Sequence, residues 1–186
     1  MPRVKGIVLL SRFEYLDHKQ GISALKKLLK KISTPDENFI RQPVDGAHFY
    51  PSDLIGTIDE ILLTEHFEDD IDEFFRLGEW TAQNLMAKYF NLYMEESEPK
   101  EFLEQFARLR DSLIGTGKMS ILEKSIGKIE IIIDYGQTVP KSVCLSEQGF
   151  ISKGLRLCGA KNLQVNEIIF AGEGDSLKSK YEVTYD

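Results

Sequence analysis

The feature that most constrains the fold is a long amphipathic stretch at residues 70–94. Asp70 and Glu73 have the D-x-x-E spacing of a capping box, which marks the start of a helix. Gly78 and Ala82, one turn apart, would let another backbone approach closely. The apolar positions recur every 3.6 residues or so, as in a helix that buries one face: Ile71, Phe74, Phe75, Gly78, Ala82, Leu85, Met86, Tyr89 and Tyr93. We therefore expect a central helix around which other segments pack.

The N-terminal part predicts further helices. Residues 4–16 begin with a strand-like run whose spacing also suits a helix; period alone does not decide such runs, and we favour a helix. Residues 22–32 carry a clear helical stripe, and Ser52 or Asp53 can cap a third helix. Residues 33–51 contain three prolines and a glycine and are typical of a surface loop.

The pattern changes after the next helix. Pro99 lies in the first turn of that helix, where a missing N–H costs nothing, and its apolar stripe contains Phe102, Phe106, Leu109 and Leu113. After Gly117 the period becomes two, which predicts a strand at 119–123. Gly127 then forms a turn into a second strand at 128–135.

The C-terminal part predicts a helix followed by a hairpin. Pro140 opens the helix and Gly159 can end it. Residues 162–170 and 178–185 flank a turn at GEGD and form the hairpin. The fold class is therefore α+β: an N-terminal helical layer, about 1–115, packs on a four-stranded antiparallel sheet, about 116–186, with a helix inserted between strands 2 and 3.

Charge limits the partners. The net charge of −7 argues against a nucleic-acid partner. Residues 1–41 have a balance of +5, from nine basic and four acidic residues, while residues 42–105 have −13, from three basic and sixteen acidic residues. Solvated helix faces explain this pattern, and an acidic surface for a basic protein partner or a second subunit is the alternative.

Length and cysteine content indicate the setting. The 186 residues, 42% apolar, suffice for one domain over 1–186 with its own core. The longest apolar run, residues 6–10, is too short for a membrane span or a secretory signal. Two cysteines make no disulfide framework, so we expect a cytoplasmic protein.

No catalytic or metal-binding motif is recognisable. His18, His48 and His66 are isolated from one another and from other ligand residues, which favours surface or structural roles and no metal site. Cys144 and Cys158 lie on one face of one helix; buried packing is the expected role, and a lipidated or redox-sensing thiol is the alternative. We therefore expect no enzymatic activity and no cofactor.

Aromatic residues on two neighbouring helices are the remaining candidates for a ligand site. Core packing explains most of them, while an apolar pocket between these helices and the sheet is the functional interpretation. The aromatic candidates for such a pocket are Phe74, Phe75, Trp80, Tyr89, Phe90, Phe102 and Phe106.

The order of elements, with residues 4–16, 50–62, 72–86 and 148–186, resembles a known scaffold. It is shared by haem-dependent nitric-oxide/oxygen-binding (H-NOX) domains, four-vinyl-reductase-type domains and the core subunits of the TRAPP tethering complex. The closest similarity is to a family of small bacterial proteins of about this length, abundant in myxobacteria. The resemblance also favours a helix at 4–16.

Two departures from these families are informative. In H-NOX domains a histidine on the helix before the sheet ligates haem iron, and a Y-x-S-x-R motif clamps the propionates. Arg110 stands where that histidine would be, and the motif is absent. Four-vinyl-reductase-type domains usually carry cysteines in the final hairpin, where Phe170 and Ser179 stand here. The resemblance thus implies neither haem nor a cysteine metal site.

The resemblance implies a haem-free, non-catalytic binding protein in signalling or regulation. A small apolar ligand or a partner protein would bias the fit of the helical layer on the sheet. Arg110 would anchor a carboxylate head group, and related scaffolds often form homodimers. The alternatives are an interaction module with a filled core that uses its acidic surface, and a haem or tetrapyrrole sensor.

Overall fold

The computed structural model has an α+β architecture. Its contacts group into two compact units, Met1–Glu73 and Phe74–Asp186, which are taken in turn. The prediction of one domain over 1–186 stays a prediction. The residues that the structure describes, with backbone only at 85–90, are 2–32, 43–90, 98–169, 171 and 177–186.

Within its described residues, the first unit pairs two short strands beside three helices. Its elements are β1 (Arg3–Lys5), α1 (Gly6–Gln20), α2 (Ile22–Lys31), β2 (Phe49–Pro51) and α3 (Asp53–His66). The helix predicted at 4–16 is confirmed from Gly6 onward, while Val4 and Lys5 pair antiparallel with β2. The surface loop predicted at 33–51 was wrong for Phe49–Pro51, because β1 offers these residues a strand to pair with; residues 33–42 lie outside the described residues.

A glycine makes the change from β1 to α1 feasible. The Gly6 amide donates to the carbonyl of His48 at 2.8 Å. A Cβ on Gly6 would lie 2.1 Å from the Asp45 carbonyl oxygen, so a side chain would collide with the segment that precedes β2. The predicted helical stripes are confirmed in part: Phe13, Leu16, Leu28, Ile58 and Leu62 are buried, and so is Leu9, which was not predicted, whereas Ile22 at the start of α2 is exposed.

The described part of the second unit carries the main sheet and three helices, and the first of these helices begins on the last residue of the first unit. Its elements are α4 (Glu73–Phe90), α5 (Pro99–Leu113), β3 (Lys118–Ser125), β4 (Lys128–Asp134), α6 (Lys141–Leu157), β5 (Gln164–Ile169) and β6 (Lys178–Thr184). The strand order is β3-β4-β6-β5 and every neighbouring pair is antiparallel. The predicted four-stranded sheet and the helix inserted between its second and third strands are confirmed.

The sheet buries one face by alternation. Ile129, Ile131 and Ile133 of β4 are buried, and Ile131 pairs with the buried Tyr181 of β6. Glu130, on the opposite face, forms ion pairs with lysines of the neighbouring strands. The alternation along β4 therefore matches the pleat of the sheet, which points successive side chains to opposite faces.

The ends of the helices follow local sequence signals. Pro99 is in the first turn of α5, and Gly159, with φ of 87°, stands just after α6. The central helix begins at Glu73 rather than at the predicted Asp70, whose carboxylate accepts a bond from the Asp72 amide. The predicted end at 94 lies outside the described residues.

Two glycines let α4 and α6 touch through their backbones. A Cβ on Gly78 would lie 2.0 Å from the Ser146 carbonyl oxygen, and one on Gly149 would lie 2.0 Å from the Phe75 carbonyl oxygen. The close approach predicted at Gly78 and Ala82 is confirmed at Gly78, while Leu77, which the predicted stripe omitted, is also buried.

Candidate functional site

A buried arginine on α5 is the starting point of the candidate site. The predicted stripe of this helix was partly wrong, because Leu109 and Leu113 are only half-buried. Phe102, Phe106 and Arg110 recur every four residues, so they share one helical face, and the Arg110 side chain is 1% exposed. In this turn of α5 the residue on the buried face is therefore Arg110, whereas the apolar pattern predicted Leu109 there.

An ion pair and a tyrosine hold one edge of this arginine. The Nε of Arg110 donates to Oε1 of Glu147 at 2.8 Å, and the Tyr135 hydroxyl donates to Oε2 at 2.7 Å. The guanidinium carbon lies 5.2 Å from the centre of the Tyr135 ring. Both carboxylate oxygens of Glu147 are thus engaged by groups from α5 and from the end of β4.

The protonation states of these groups follow from burial and charge. Burial opposes the charged form of Arg110, but the attraction of Glu147 outweighs it and raises the arginine pKa. Burial raises the pKa of Tyr135 well above its usual value, and the charge of Glu147 adds to this. Near neutral pH the arginine is charged and the tyrosine keeps its proton.

The outer nitrogens of Arg110 have no such partners. Nη1 and Nη2 are buried, and neither makes a hydrogen bond within the part of the chain that the structure describes. A buried charged donor without a partner is costly, because it has lost its water and gained nothing in exchange. The arrangement can therefore accept an anion whose oxygens replace the missing partners.

More buried polar groups interact with Tyr135 and Glu147 or with each other, and together with the arginine they form what we call the Arg110 cluster: Arg110, Tyr135, Cys144, Glu147, Ser179 and Tyr181. Ser179 and Tyr181 lie on the buried face of β6, and Cys144 lies one turn before Glu147 on α6. Burial raises the pKa of the Cys144 thiol, against the opposing effect of hydrogen bonds with Tyr135 and Ser179. The predicted buried role of this cysteine is confirmed.

An aromatic stack lies on the same face of α5. The rings of Phe106 and Phe150 are 4.5 Å apart between centroids, and Phe102 stacks on both at 6.2 Å. A Cβ on Gly154 would lie 2.0 Å from the Phe102 ring, so α6 also packs tightly against this stack. Two of the predicted pocket aromatics therefore contact each other and Phe150, which the sequence analysis did not select.

The other predicted site residues lie on α4. Phe74 is fully buried, Phe75 and Trp80 are half-buried, and the side chains of Tyr89 and Phe90 lie outside the described residues. The structure thus brings Phe102, Phe106 and Arg110 together on α5.

Sequence reasoning missed Glu147 and Tyr135. A signal for Glu147 was present, because it falls on the same helical face as Cys144 and Ile151, which are both completely buried. A carboxylate at such a position needs a cation, and Arg110 on the buried face of α5 is its partner. Tyr135 follows β4 and carries no comparable signal.

The first unit contains a separate cleft. It has a volume of about 610 Å³ and is lined by Gln20, Ser23, Ala24, Lys27, Lys31, Glu65 and His66, a group that we call the α2–α3 cleft. None of the predicted pocket residues lines it. The cleft is polar, with side chains of both charges, in contrast to the apolar pocket expected from the sequence.

The described ranges contain neither a metal-binding cluster nor a membrane-spanning helix. These residues include no group of three or more histidine, cysteine or acidic side chains placed to hold a metal ion. None of their helices combines the length and apolar character needed to cross a membrane.

Comparisons with known proteins identify the fold. No protein-family model matches the sequence, and no curated protein matches it either. The H-NOX protein from S. oneidensis in the Fe(II)NO state has a TM-score of 0.76 at 12% identity, over 98% of this chain and 99% of that one. The Fe(II) unliganded H-NOX protein from K. algicida has a TM-score of 0.71 at 14% identity, over 98% and 96%.

A third structure, a mutant of the T. Tengcongensis H-NOX protein, has a TM-score of 0.74 at 13% identity, over 98% of this chain and 97% of that one. Identities this low show the fold alone. The chain therefore has the H-NOX fold, and the predicted scaffold is confirmed, while the myxobacterial-type family and the haem-free state stay predictions.

Proposed function

We propose that this chain is a non-catalytic regulatory domain that binds a small ligand with an apolar body and a carboxylate head, without haem. The observation that carries the proposal is the pair of buried Arg110 nitrogens, Nη1 and Nη2, that lack hydrogen-bond partners within the described residues. The expected homodimer, the signalling role and the cytoplasmic location remain predictions.

A carboxylate matches the chemistry of Arg110. Its two oxygens can accept hydrogen bonds from Nη1 and Nη2, which gives the planar, charge-assisted geometry that arginine forms with carboxylates. Glu147 already neutralises one charge through Nε, so the ligand is selected by geometry and unused donors rather than by an isolated positive charge. An apolar body would extend along the same face of α5, towards Phe106 and Phe102.

The tight packing of α5 and α6 couples binding to helix position. Phe106 and Phe150 are in ring contact, and Gly154 leaves no room beside Phe102. A ligand body therefore enters only if α5 and α6 separate, and binding shifts the population towards that arrangement. A change in helix packing is how the domain would pass a signal to a partner.

Several features support a haem-free domain, although the solved H-NOX structures with this fold include Fe(II) states and a study of haem distortion. The sequence has no histidine in residues 74–186, and its three histidines all lie in the first unit. His18 and His48 are exposed there. Arg110 is tied to Glu147 and is no iron ligand. The residues of the second unit do not fit a histidine-ligated haem iron.

The test is native mass spectrometry of protein purified from its own cells, compared with its denatured mass. We expect an extra mass that leaves on denaturation, and we expect Arg110→Gln to lose it. Arg108→Gln is the matched control, since Arg108 is exposed on the same helix. A bare native mass, or an Arg110→Gln protein that keeps the extra mass, contradicts the proposal. A Soret band after adding haemin contradicts the haem-free part.

The ring packing also favours a second function, an interaction module with a filled core. Phe102, Phe106 and Phe150 already occupy the space that the apolar body would need. In this case the acidic residues of 42–105 would bind a basic protein partner. A bare native mass together with a captured complex that salt dissociates would favour this function, because salt screens exposed charge pairs.

A further inference from the structure

The α2–α3 cleft is a second place where a buried polar atom, Nε2 of His66, has no hydrogen-bond partner among the described residues. Gln20 reaches it from the end of α1, Lys27 and Lys31 from α2, and Glu65 and His66 from the end of α3. All of these belong to the first unit. A volume of about 610 Å³ lies in the range of small-molecule sites.

The hydrogen bonds of Gln20 determine the tautomer of His66. The amide nitrogen of Gln20 donates to the His66 carbonyl at 2.6 Å, and a carbonyl only accepts. The amide oxygen therefore faces the imidazole and accepts from Nδ1 at 2.9 Å. With its proton on Nδ1, a neutral imidazole has an unused lone pair on Nε2, which is buried and has no hydrogen-bond partner among the described residues.

The charges around His66 keep the imidazole neutral. Burial lowers its pKa from the usual value, the positive charges of Lys27 and Lys31 add to this effect, and Glu65 opposes it. Lys31 also forms an ion pair with Glu65, which reduces the repulsion that this carboxylate would exert on an anion. Gln20, the contribution of α1, is uncharged.

We propose that the α2–α3 cleft binds a small, soluble phosphate monoester. In the complex, Lys27 and Lys31 bind the phosphate oxygens, and the imidazole, whose Nε2 is enclosed in the ligand-free structure, moves so that Nε2 shares one proton with a phosphate oxygen. The monoester is suited to this set because its second ionisation lies near pH 6, so it can bring both negative charge and a proton. This inference is independent of the ligand proposed for the Arg110 cluster.

Binding is therefore linked to one proton. Either the monoanion arrives with its hydroxyl and donates to Nε2, or the dianion arrives and the imidazole takes a proton from solvent. Both routes give the same complex. Since free His66 is neutral near pH 7, formation of the complex from the dianion consumes a proton, and affinity rises as pH falls from about 8 to about 6.

The test is NMR of protein labelled with ¹⁵N in its three histidines, titrated with glycerol phosphate, a soluble phosphate monoester, and, separately, with sulfate. We expect phosphate to shift the His66 signals saturably and to raise the pKa of His66 by about one unit, which corresponds to about tenfold tighter binding to the protonated ring. His18 and His48, which are exposed and outside the cleft, serve as internal references. At pH 8 both anions arrive without a proton, but sulfate oxygens are far less basic than phosphate oxygens and cannot share a proton with Nε2, so sulfate should bind more weakly.

Two lysine variants distinguish specific binding in the cleft from a general attraction of the anion to positive charge. Lys27→Gln should weaken phosphate binding about tenfold, the effect of losing one charge-assisted bond. Lys26→Gln removes the same charge from an exposed neighbour that does not line the cleft, and it should leave affinity unchanged. Equal effects of the two variants overturn the proposal.

Three further outcomes would overturn parts or all of it. A His66 signal that phosphate does not shift excludes the site. Equal affinity for sulfate and phosphate at pH 8 excludes the shared proton. Binding to vesicles containing phosphatidic acid without binding to glycerol phosphate or inorganic phosphate would assign the cleft to a lipid headgroup instead of a soluble ligand.

Discussion

Two buried arginine–carboxylate pairs lie among the residues that the structure describes, and they are built differently. In the first unit, Arg12 donates from Nε to Oδ1 of Asp59 at 2.7 Å and from Nη2 to Oδ2 at 3.1 Å. Its Nη1 donates to the Val8 carbonyl at 3.2 Å. In the second unit, Arg110 uses Nε for Glu147, whereas Nη1 and Nη2 have no partner within the described residues.

Every guanidinium nitrogen of Arg12 has a hydrogen-bond partner, whereas Arg110 has two nitrogens without one among the described residues. Both side chains are at most 3% exposed, and both face a carboxylate, so burial and charge are matched. The difference is the number of donors in use. A protein that only needed to neutralise Glu147 would gain nothing by burying two more amino groups, since each buried unpaired donor costs stability. Arg110 is therefore the one of the two that a ligand can complete.

The largest expected effect is the loss of Arg12. Arg12→Met removes the ion pair and both hydrogen bonds that the guanidinium makes to the buried Asp59 carboxylate. We expect the free energy of unfolding, measured by urea denaturation, to fall by about 3–5 kcal/mol. The double variant Arg12→Met with Asp59→Leu should recover most of this loss, because a buried pair can be replaced by apolar groups at little cost. No recovery would show that the two side chains do more than neutralise each other.

A smaller effect is expected for Arg110. Arg110→Met also leaves a carboxylate behind, but Glu147 keeps the hydrogen bond from Tyr135, and the variant no longer buries the unused Nη1 and Nη2. We expect a loss of about 1–3 kcal/mol in the same urea experiment on ligand-free protein. A loss as large as that of Arg12→Met would mean that Arg110 is as structural as Arg12, and the comparison would fail.

The two pairs also show what could be predicted from the sequence. Element order, the ends marked by Pro99 and Gly159, and the buried face of β4 follow from local signals, because periodicity and backbone restriction act over a few residues. The pairing of β1 with β2 could not be predicted, since each strand has only three residues and its partner lies more than forty residues away.

The candidate site was predictable only in part. Arg110 was selected because it stands where H-NOX domains have their haem-ligating histidine, and Phe102 and Phe106 were selected because of their helical spacing. Glu147 is 37 residues further along the chain, and nothing in the sequence around it identifies Arg110 as its partner. A buried charge can be recognised because it interrupts the apolar stripe of its helix. Which opposite charge forms an ion pair with it depends on how α5 and α6 pack. That packing is tertiary information.

The smallest effect is expected at a third arginine, which sharpens the comparison from the exposed side. Arg156 on α6 donates to Glu79 on α4 at 2.7 Å, but the two side chains are 51% and 29% exposed. Water already solvates both charges, so Arg156→Gln should lower the free energy of unfolding by only about 0.2–1 kcal/mol. The urea experiment repeated in about 0.5 M NaCl should reduce even this difference, because salt screens an exposed pair and hardly reaches a buried one. If salt instead reduced the cost of Arg12→Met and left that of Arg156→Gln unchanged, burial would not be what distinguishes these pairs.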